Sequence, residues 1–283
     1  MKLLIIRLGA IGDVVHSNII PQAIKQKYPD YEIDFLTTDY IAPLIKNNKF
    51  ISKVIPASPK LNLIKAIMIG YKLRSEKYDI VINLTNSLKN IVIAKLAGGK
   101  IYKRNKNRVH AVDAFYNTAL DIFENLEKPL SIQLGVNKKI IEELKEKLKE
   151  FSQPIIIFSP GGQNDKERQG RIWRDEYWVE LGESLVKKYN ATILIVGSKT
   201  EKTKHEKFSK IPNSIVFSGE LTLEESAALF SLADLFISGD SGPLHIADAV
   251  GCRTIALMGS TNPIACAGYS SNAYYIEPQN DCK

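Results

Sequence analysis

The sequence predicts an α/β protein with two domains, each built around a parallel β-sheet. Short apolar runs of strand length alternate with longer segments of helical period, which is typical of β-α units. This alternation restarts near residue 150, after a charged helical segment. The length of 283 residues is also sufficient for two domains that each have a core. We therefore expect one domain at residues 1–150 and a second at residues 151–283.

Five apolar runs in the first half have the length and composition of buried parallel strands. They are Leu3–Leu8, Glu32–Thr37, Lys53–Ile55, Asp79–Leu84 and Lys100–Tyr102. The segments between them carry apolar residues at three- and four-residue spacing, which predicts helices. These helices are Asp13–Lys27, Tyr40–Asn47, Leu61–Glu76 and Ser87–Leu96. Two more are predicted before the boundary: Ala111–Phe123, and Lys138–Phe151 as an exposed bridging helix.

The second half repeats the pattern, starting from a very apolar strand at Pro154–Ser159. Further strands are predicted at Thr192–Val196, Ser214–Phe217, Asp234–Ser238 and Thr254–Met258. Helices are predicted at Asp175–Tyr189, Lys202–Phe208, Leu223–Ser231 and Pro243–Val250. Open α/β sheets bind their ligands outside the carboxyl ends of the strands. The two sheets therefore predict a cleft between these ends, with the functional residues in the strand-to-helix loops.

The composition is that of an ordinary globular protein, with 45% apolar and 24% charged residues. No apolar run approaches the roughly 20 residues needed to cross a bilayer, and the N-terminal run is too short for a signal peptide. The three cysteines lack the spacing of a metal site or a disulfide framework. These features predict a cytoplasmic protein. The net charge of +7 fits either a solvated surface or an anionic partner, and no nucleic-acid-binding motif accompanies it.

The first candidate loop has the sequence RLGAIGD and joins the first strand to the first helix. Its glycines, Gly9 and Gly12, allow a tight turn and a close approach of a ligand to the backbone. Asp13 has two interpretations: its side chain could cap the helix N-terminus, or its carboxylate could act as a general base at the cleft. His16 follows one helical turn later and could face the same way, although a lone His more often has a structural role.

The second candidate loop extends from Ser159 to Trp173 and contains the pair Gly161-Gly162. Its cations suit a diphosphate, although a solvated surface loop would have a similar composition. These cations are Lys166, Arg168 and Arg171.

The third candidate loop, SGDSGPLH at residues 238–245, follows an apolar strand. Pro243 is suited to the first turn of a helix. The backbone amides and the Ser241 hydroxyl at that helix start would form an anion site. The order GDSGP does not fit the G-x-S-x-G nucleophile elbow, so an acyl hydrolase is disfavoured.

Together these three motifs resemble those of glycosyltransferase family 9, the bacterial ADP-heptose:lipopolysaccharide heptosyltransferases. The matching segments are LLIIRLGAIGDVVH at residues 3–16, the PGG loop that continues to RIW, and SGDSGPLHIADAVGCRTIALMGSTNP at residues 238–263. They occur in the family's order and cover nearly the whole chain. The resemblance implies the GT-B fold, in which two Rossmann-like domains with parallel sheets face an interdomain cleft. The first domain would bind the acceptor and the second the sugar nucleotide.

The resemblance also implies roles for individual residues. Asp13 falls on the family's general base. Arg171 stands where the family has a phosphate-binding Lys, a change that keeps the charge but alters its geometry. The other donor-binding positions are Asp240, Ser241, Gly242 and His245 for the sugar and phosphates, Leu221 and Thr222 for the nucleobase, and Glu201 for the ribose.

The implied reaction is inverting transfer of a heptose from ADP-heptose to the inner core of lipopolysaccharide. It requires no cofactor and no metal, since cations and a helix N-terminus would stabilise the leaving diphosphate. The implied acceptor is anionic, which fits the basic stretch from Lys100 to Arg108. The candidate acceptor-binding residues are Arg7, Lys103, Arg104, Lys106 and Arg108. Contact with the inner membrane would then be peripheral, and no nucleic acid is expected as a partner.

Two other functions are compatible with the sequence: a GT-B transferase that uses a different nucleotide sugar, and a non-catalytic module that binds a sugar nucleotide. The retained Asp13, Arg171 and Asp240 favour an enzyme over the binding module. Family members usually continue beyond the last motif with a helix that returns to the first domain, whereas this sequence ends at Lys283. Heptosyltransferases for successive core positions share these motifs, which therefore predict the reaction class and not the position that is glycosylated.

Overall fold

The computed structural model describes residues 1–104, 110–161 and 172–278. The chain divides into two compact units, Met1–Gly135 and Val136–Lys283. Each unit contains one β-sheet in which all paired strands are parallel, so the predicted α/β class is confirmed. No helix within the described ranges is long and apolar enough to cross a membrane.

The first unit has a five-stranded sheet in the order β3-β2-β1-β4-β5. Its strands are β1 (Lys2–Ile6), β2 (Glu32–Thr38), β3 (Lys53–Ala57), β4 (Ile80–Asn83) and β5 (Lys100–Lys103). Its helices are α1 (Ile11–Ser17), α2 (Ile19–Lys27), α3 (Ala42–Ile45), α4 (Leu63–Arg74), α5 (Leu88–Ala97) and α6 (Ala111–Leu120). All four residues of Leu3–Ile6 are fully buried, which shows that helices cover both faces of the sheet at β1.

One predicted helix of this unit is two helices in the structure. Residues 13–27 are divided between α1 and α2 at Asn18. Pro21 lies in the first turn of α2 and has no N–H to donate to the preceding turn, so a continuous helix would lose a bond there. The Asn18 side chain stabilises the junction by donating to the Val14 carbonyl and accepting from the Asn48 amide at 2.9 Å.

The second unit has a sheet with the strand order β11-β10-β9-β6-β7-β8. Its strands are β6 (Ile155–Ser159), β7 (Thr192–Ile195), β8 (Ser214–Val216), β9 (Leu235–Gly239), β10 (Thr254–Leu257) and β11 (Ala273–Ile276). Its α-helices in the described ranges are α7 (Lys138–Leu148), α8 (Asp175–Tyr189), α9 (Lys202–His205), α10 (Leu223–Ser231), α11 (Gly242–Ala249) and α12 (Pro263–Cys266). Sequence analysis missed β11, a largely exposed edge strand of only four residues.

The division between the units lies after Gly135, earlier than the predicted boundary at residue 150. The reason is α7, which the sequence suggested as a bridging helix. It packs against α10, and its N-capping residue Asn137 donates a side-chain hydrogen bond to Glu224 at 3.0 Å. Leu144 and Leu148 are buried, so α7 is a structural part of the second unit.

A buried hydroxyl–carboxylate pair lies in the first sheet, away from the strand ends that carry the candidate loops. Tyr78, just before β4, donates to Asp34 of β2 at 2.7 Å. Burial raises the pKa of Asp34, while the Tyr78 hydrogen bond and the Lys2 ammonium oppose that rise. The folded state therefore loses stability as the pH rises through the raised pKa of Asp34, and Tyr78 limits the loss.

Replacing Tyr78 by Phe should destabilise the first unit by about 1–3 kcal/mol at neutral pH, because the buried carboxylate loses its donor. The deficit should shrink as the pH falls to about 3, below the ordinary pKa of an Asp, where Asp34 is mostly protonated in both the folded and the unfolded state. Urea unfolding followed by circular dichroism at both pH values measures this difference. Tyr40→Phe, at an exposed position, is the matched control. A deficit that is the same at both pH values would contradict the assignment.

Candidate functional site

The three candidate loops meet the strand ends at the topological switch points of the two sheets. In the first unit the chain runs outward from β1 through β2 to β3 and then returns to β4 on the other side of β1. In the second unit it runs from β6 through β7 to β8 and returns to β9. The loop after β1 and the loops after β6 and β9 therefore lie at the positions where open α/β sheets bind ligands.

At the first switch point, Asp13 is the third residue of α1. The N-cap of this helix is Ala10, whose side chain has no hydrogen-bonding atom, so the capping interpretation of Asp13 does not apply. The Asp13 carboxylate instead accepts a hydrogen bond from Arg7 Nη2. Arg7 Nη1 donates to the Leu84 carbonyl at 3.2 Å, which fixes the guanidinium between the ends of β1 and β4.

A second guanidinium lies on the other side of the same carboxylate. Arg104, which follows β5, has Nη1 at 4.0 Å from Asp13 Oδ1. Its guanidinium also lies over the Phe115 ring of α6, 4.4 Å from the ring centroid. Burial lowers the pKa of Arg104; the Asp13 carboxylate opposes this effect and the Arg7 charge adds to it. Asp13 is thus a carboxylate held between two arginines, with part of its surface still exposed to solvent.

Two histidines, one on α1 and one at the start of α6, lie close to each other. The rings of His16 and His110 are 5.8 Å apart, and His16 is buried. His110 is the N-cap of α6, and its Nδ1 accepts from the Val112 amide at 3.2 Å. This bond requires a ring without a proton on Nδ1. Sequence analysis missed His110, although its place just before an apolar helical segment is a typical capping position.

The other candidate acceptor-binding residues are only partly covered by the structure. Lys103 is exposed at the end of β5, next to Arg104. Lys106 and Arg108 lie outside the described residues. The structure therefore brings Arg7 and Arg104 together at Asp13 and leaves the role of the other cations as a prediction.

At the second switch point, Ser241 is the N-cap of α11, and Gly242 and Pro243 form its first turn. The Ser241 side chain does not cap this helix end, and its hydroxyl lies 3.5 Å from the Ser238 hydroxyl. The backbone amides of such a helix start favour an anion. His245 Nε2, on the same helix, is 4.0 Å from Asp240 Oδ1, and both side chains are largely buried. The structure therefore has a helix start at Ser241, where the sequence predicts an anion site.

A buried histidine of α9, His205, contacts the beginning of the loop after β6. Sequence analysis did not single it out as functional. His205 Nε2 lies 3.5 Å from the Gly161 carbonyl, and its Nδ1 lies 2.6 Å from the Ser218 hydroxyl. Burial lowers the pKa of His205, and the hydrogen bond to Gly161 opposes that shift. A neutral ring that donates from Nε2 and accepts at Nδ1 satisfies both contacts. Residues 162–171, including Arg171, Lys166 and Arg168, lie outside the described part of the chain.

Two of the donor-binding candidates, Glu201 and Thr222, have structural roles at helix starts. Glu201 Oε2 accepts from both the backbone amide and the hydroxyl of Ser198, at 2.7 Å each. Thr222 is the N-cap of α10 and forms a capping box with Glu225, whose carboxylate accepts the Thr222 amide at 2.8 Å. The Thr222 carbonyl accepts from Ser226. These contacts account for Glu201 and Thr222 by capping, and Leu221 precedes the cap.

No group of three or more His, Cys, Asp and Glu side chains in the described ranges could hold a metal ion.

A model of the family described as glycosyltransferase family 9 (heptosyltransferase) matches residues 67–283, well over half of the chain. The chain belongs to this family. It is therefore an enzyme of the glycosyltransferase class, and the resemblance seen in its three motifs is confirmed.

The similarity to known proteins covers nearly the whole chain. A lipooligosaccharide heptosyltransferase 2 from Haemophilus influenzae is 27% identical, covering 93% of this chain and 84% of its own length. The crystal structure of a family 9 glycosyltransferase from Veillonella parvula has a TM-score of 0.89 at 17% identity, covering 100% of this chain and 88% of its own. The structure of an Escherichia coli ADP-heptose lipopolysaccharide heptosyltransferase II has a TM-score of 0.82 at 21% identity, covering 98% and 90%. These structures confirm the GT-B fold for this family 9 enzyme.

Proposed function

We propose that this family 9 enzyme transfers a heptose from ADP-heptose to the anionic inner core of lipopolysaccharide, with Asp13 as general base. The observation that carries the proposal is the Asp13 carboxylate held by Arg7 at the switch point of the first sheet. The similar proteins from Haemophilus influenzae and Escherichia coli, named for heptose transfer to lipooligosaccharide and lipopolysaccharide, support the choice of donor and acceptor.

The proposed reaction is a single displacement with inversion at the anomeric carbon. Asp13 removes the proton from the acceptor hydroxyl as its oxygen forms a bond to the anomeric carbon. The bond from that carbon to the diphosphate oxygen breaks on the opposite side, and ADP leaves with the electron pair. Arg7 orients the carboxylate through its hydrogen bond, and its second contact with Leu84 keeps the pair in place. The proton therefore has a defined acceptor at the start of α1.

The leaving diphosphate needs positive partial charge, which the second unit supplies at the start of α11. The Ser241 hydroxyl and the amides of the first turn would donate hydrogen bonds to the phosphate oxygens without rearrangement, so they would stabilise charge that develops in the transition state. Asp240, Gly242 and His245 lie on the same loop and helix and would contact the sugar and phosphates. Arg171, Leu221, Thr222 and Glu201 remain predictions for donor binding.

On the acceptor side, Arg104 is the cation best placed to meet an anionic core. It lies beside Asp13, whereas Arg7 already has Asp13 and Leu84 as partners. We therefore assign Arg7 first to holding the base and Arg104 to acceptor phosphate or carboxylate groups. Lys103 and Arg108 would extend this basic surface. A cytoplasmic location with peripheral contact at the inner membrane is part of the same proposal.

The donor is tested by measuring turnover of the purified protein with lipopolysaccharide core acceptor and a panel of ADP- and UDP-sugars. We expect ADP-heptose to exceed every UDP-sugar by at least about tenfold in kcat/KM, since a site that pairs with one base and sugar rejects analogues that leave its polar groups unpaired. Preference for a UDP-sugar would refute heptose transfer and indicate a GT-B transferase that uses a different nucleotide sugar. Binding of ADP-heptose without turnover of any donor would favour a non-catalytic module.

A further inference from the structure

Helix α4 has two apolar faces, and only one of them packs in the core. Ala66, Gly70 and Leu73 are buried. This face packs very closely on α5, since a Cβ atom added at Gly70 would lie 2.6 Å from the Leu96 Cβ atom. An ordinary surface helix has one apolar stripe directed at the core. The core contacts of α4 are therefore complete without its second face.

The second face of α4 is an exposed apolar stripe two turns long. Ile64 is 69% exposed, Met68 66% and Tyr71 60%, and Leu63 and Ile67 belong to the same stripe. Their spacing of three, four and seven residues places them on one side of the helix. Contiguous exposed apolar patches on a soluble domain mark contact sites for proteins or membranes.

Helix α5 extends this surface at its first turn. Helices α4 and α5 each follow a parallel strand of the same sheet, so they run in the same direction. Gly70 of α4 meets Ile93 and Leu96 of α5, which places the starts of the two helices at the same end of the pair. Leu88, the first residue of α5, is 65% exposed there. We call these exposed apolar residues and the lysines between them the α4–α5 surface.

The part of the sequence that contains α4 and α5 is strongly positive. Residues 40–112 contain 15 Lys and Arg but only two acidic residues, Glu76 and Asp79, a net charge of 15 − 2 = +13. The whole chain carries +7, so all other residues together carry −6. Glu76 already forms salt bridges with Lys2 and Lys53. The exposed cations on and beside the two helices are Lys60, Lys65, Lys72, Arg74, Lys89 and Lys95.

We propose that the α4–α5 surface docks the protein on an anionic lipid bilayer. Apolar side chains on one side of a helix with Lys and Arg at its flanks are the pattern of a segment that lies in the headgroup region. Each cation near the surface adds attraction to anionic lipids. A second copy of the chain fits less well, because a symmetric contact would oppose Lys65 and Lys72 to each other without acidic partners on α4 or α5.

The first test is flotation of the purified chain with vesicles of phosphatidylethanolamine and phosphatidylglycerol, or of phosphatidylcholine alone. We expect binding to the anionic vesicles that falls with added salt, and weak binding to phosphatidylcholine. The double change Ile64→Glu with Met68→Glu should lower the partition coefficient about tenfold or more, because two apolar anchors are lost. Leu130→Glu is the matched control, since Leu130 is 90% exposed outside the α4–α5 surface.

A second variant, Lys65→Gln with Lys72→Gln, separates the charge from the apolar contribution. It should lower the partition into anionic vesicles about fivefold per lysine at low salt and leave the partition into phosphatidylcholine unchanged. Failure of the wild type to bind phosphatidylglycerol vesicles would overturn the proposal. Equal vesicle binding by the double Glu variant and by Leu130→Glu would also overturn the proposal. A wild-type dimer that the double Glu variant abolishes and Leu130→Glu keeps would overturn it too, because the surface would then be a contact between two copies of the chain.

The proposal rests on the lipid-borne acceptor of the proposed function, but the two can fail separately. The vesicles contain neither ADP-heptose nor lipopolysaccharide, so vesicle binding does not require catalysis. If the wild type binds vesicles but turns over no sugar donor, the proposed reaction is refuted and the docking surface stands. Turnover with a soluble acceptor but no vesicle binding would keep the proposed reaction and refute the docking surface.

Discussion

An Asp13→Asn variant should lose about 100-fold or more in kcat while it binds the ADP-sugar donor as the wild type does. Asn keeps the shape of the side chain and can still accept a hydrogen bond from Arg7, but it cannot take a proton from the acceptor hydroxyl. The donor contacts proposed at Ser241 and its neighbours are unchanged. The loss should therefore fall on kcat, with the KM for the donor nearly constant.

The measurement combines steady-state release of ADP with donor binding by calorimetry. Asp79→Asn is the matched control, because Asp79 lies just before β4, at the opposite end of the same sheet, and accepts the Lys2 backbone amide at 2.7 Å. This control removes the same charge from the first unit and should leave kcat within about twofold of the wild type, as surface substitutions away from a site usually do.

Two results would count against Asp13 as the base. An Asp13→Asn enzyme that keeps its turnover would refute the role directly. Loss of donor affinity without a change in kcat would assign Asp13 to binding instead. Because the substitution also removes the negative partner of Arg7 and Arg104, unfolding of the variant by urea should be compared with the wild type before the rates are interpreted.

The sequence was sufficient to predict the elements and loops that are specified by residues close together in the chain. The strands β1, β6 and β9 are apolar runs followed by glycine-containing loops, and their positions in the two sheets follow from the β-α alternation. The helix start at Ser241 was also predictable, because Pro243 and the glycines are local signals for a helix start.

Other features depend on contacts between distant segments, which one sequence does not reveal. Arg104 reaches Asp13 because β5 lies beside β4 and because the Phe115 ring of α6 holds the guanidinium. The boundary at Gly135 depends on α7 packing against α10. Glu201 was chosen by its place near a family position, and the structure gives it a local capping role that the spacing S-x-x-E could have revealed.

Helix α11, whose start is the proposed donor site, carries a buried carboxylate, Asp248, near its far end. Asp248 accepts hydrogen bonds from the backbone amide of Tyr269 at 2.6 Å, from that of Ser270 at 3.2 Å, and from the Ser270 hydroxyl. These bonds attach the segment between α12 and β11 to the helix that begins at Ser241. The sequence did not single out Asp248, because its partners are more than 20 residues away along the chain.

Asp248→Ala should destabilise the second unit by about 2–4 kcal/mol, because it removes several bonds to a charged acceptor and leaves amides without a partner. Both tryptophans, Trp173 and Trp178, lie in the second unit, so their fluorescence during urea unfolding reports on this unit. Ser270→Ala is the matched control and should cost only about 1 kcal/mol, since it removes one hydroxyl bond and keeps the carboxylate.

Nucleotide affinity should fall together with stability if Asp248 keeps the α11 terminus in place. ADP binding stabilises the folded state according to its affinity, so the rise in the urea midpoint with added ADP should be smaller in Asp248→Ala than in the wild type. A variant that unfolds at the wild-type midpoint would contradict the structural role of Asp248. A destabilised variant with an unchanged response to ADP would show that the α11 terminus holds its geometry without this anchor.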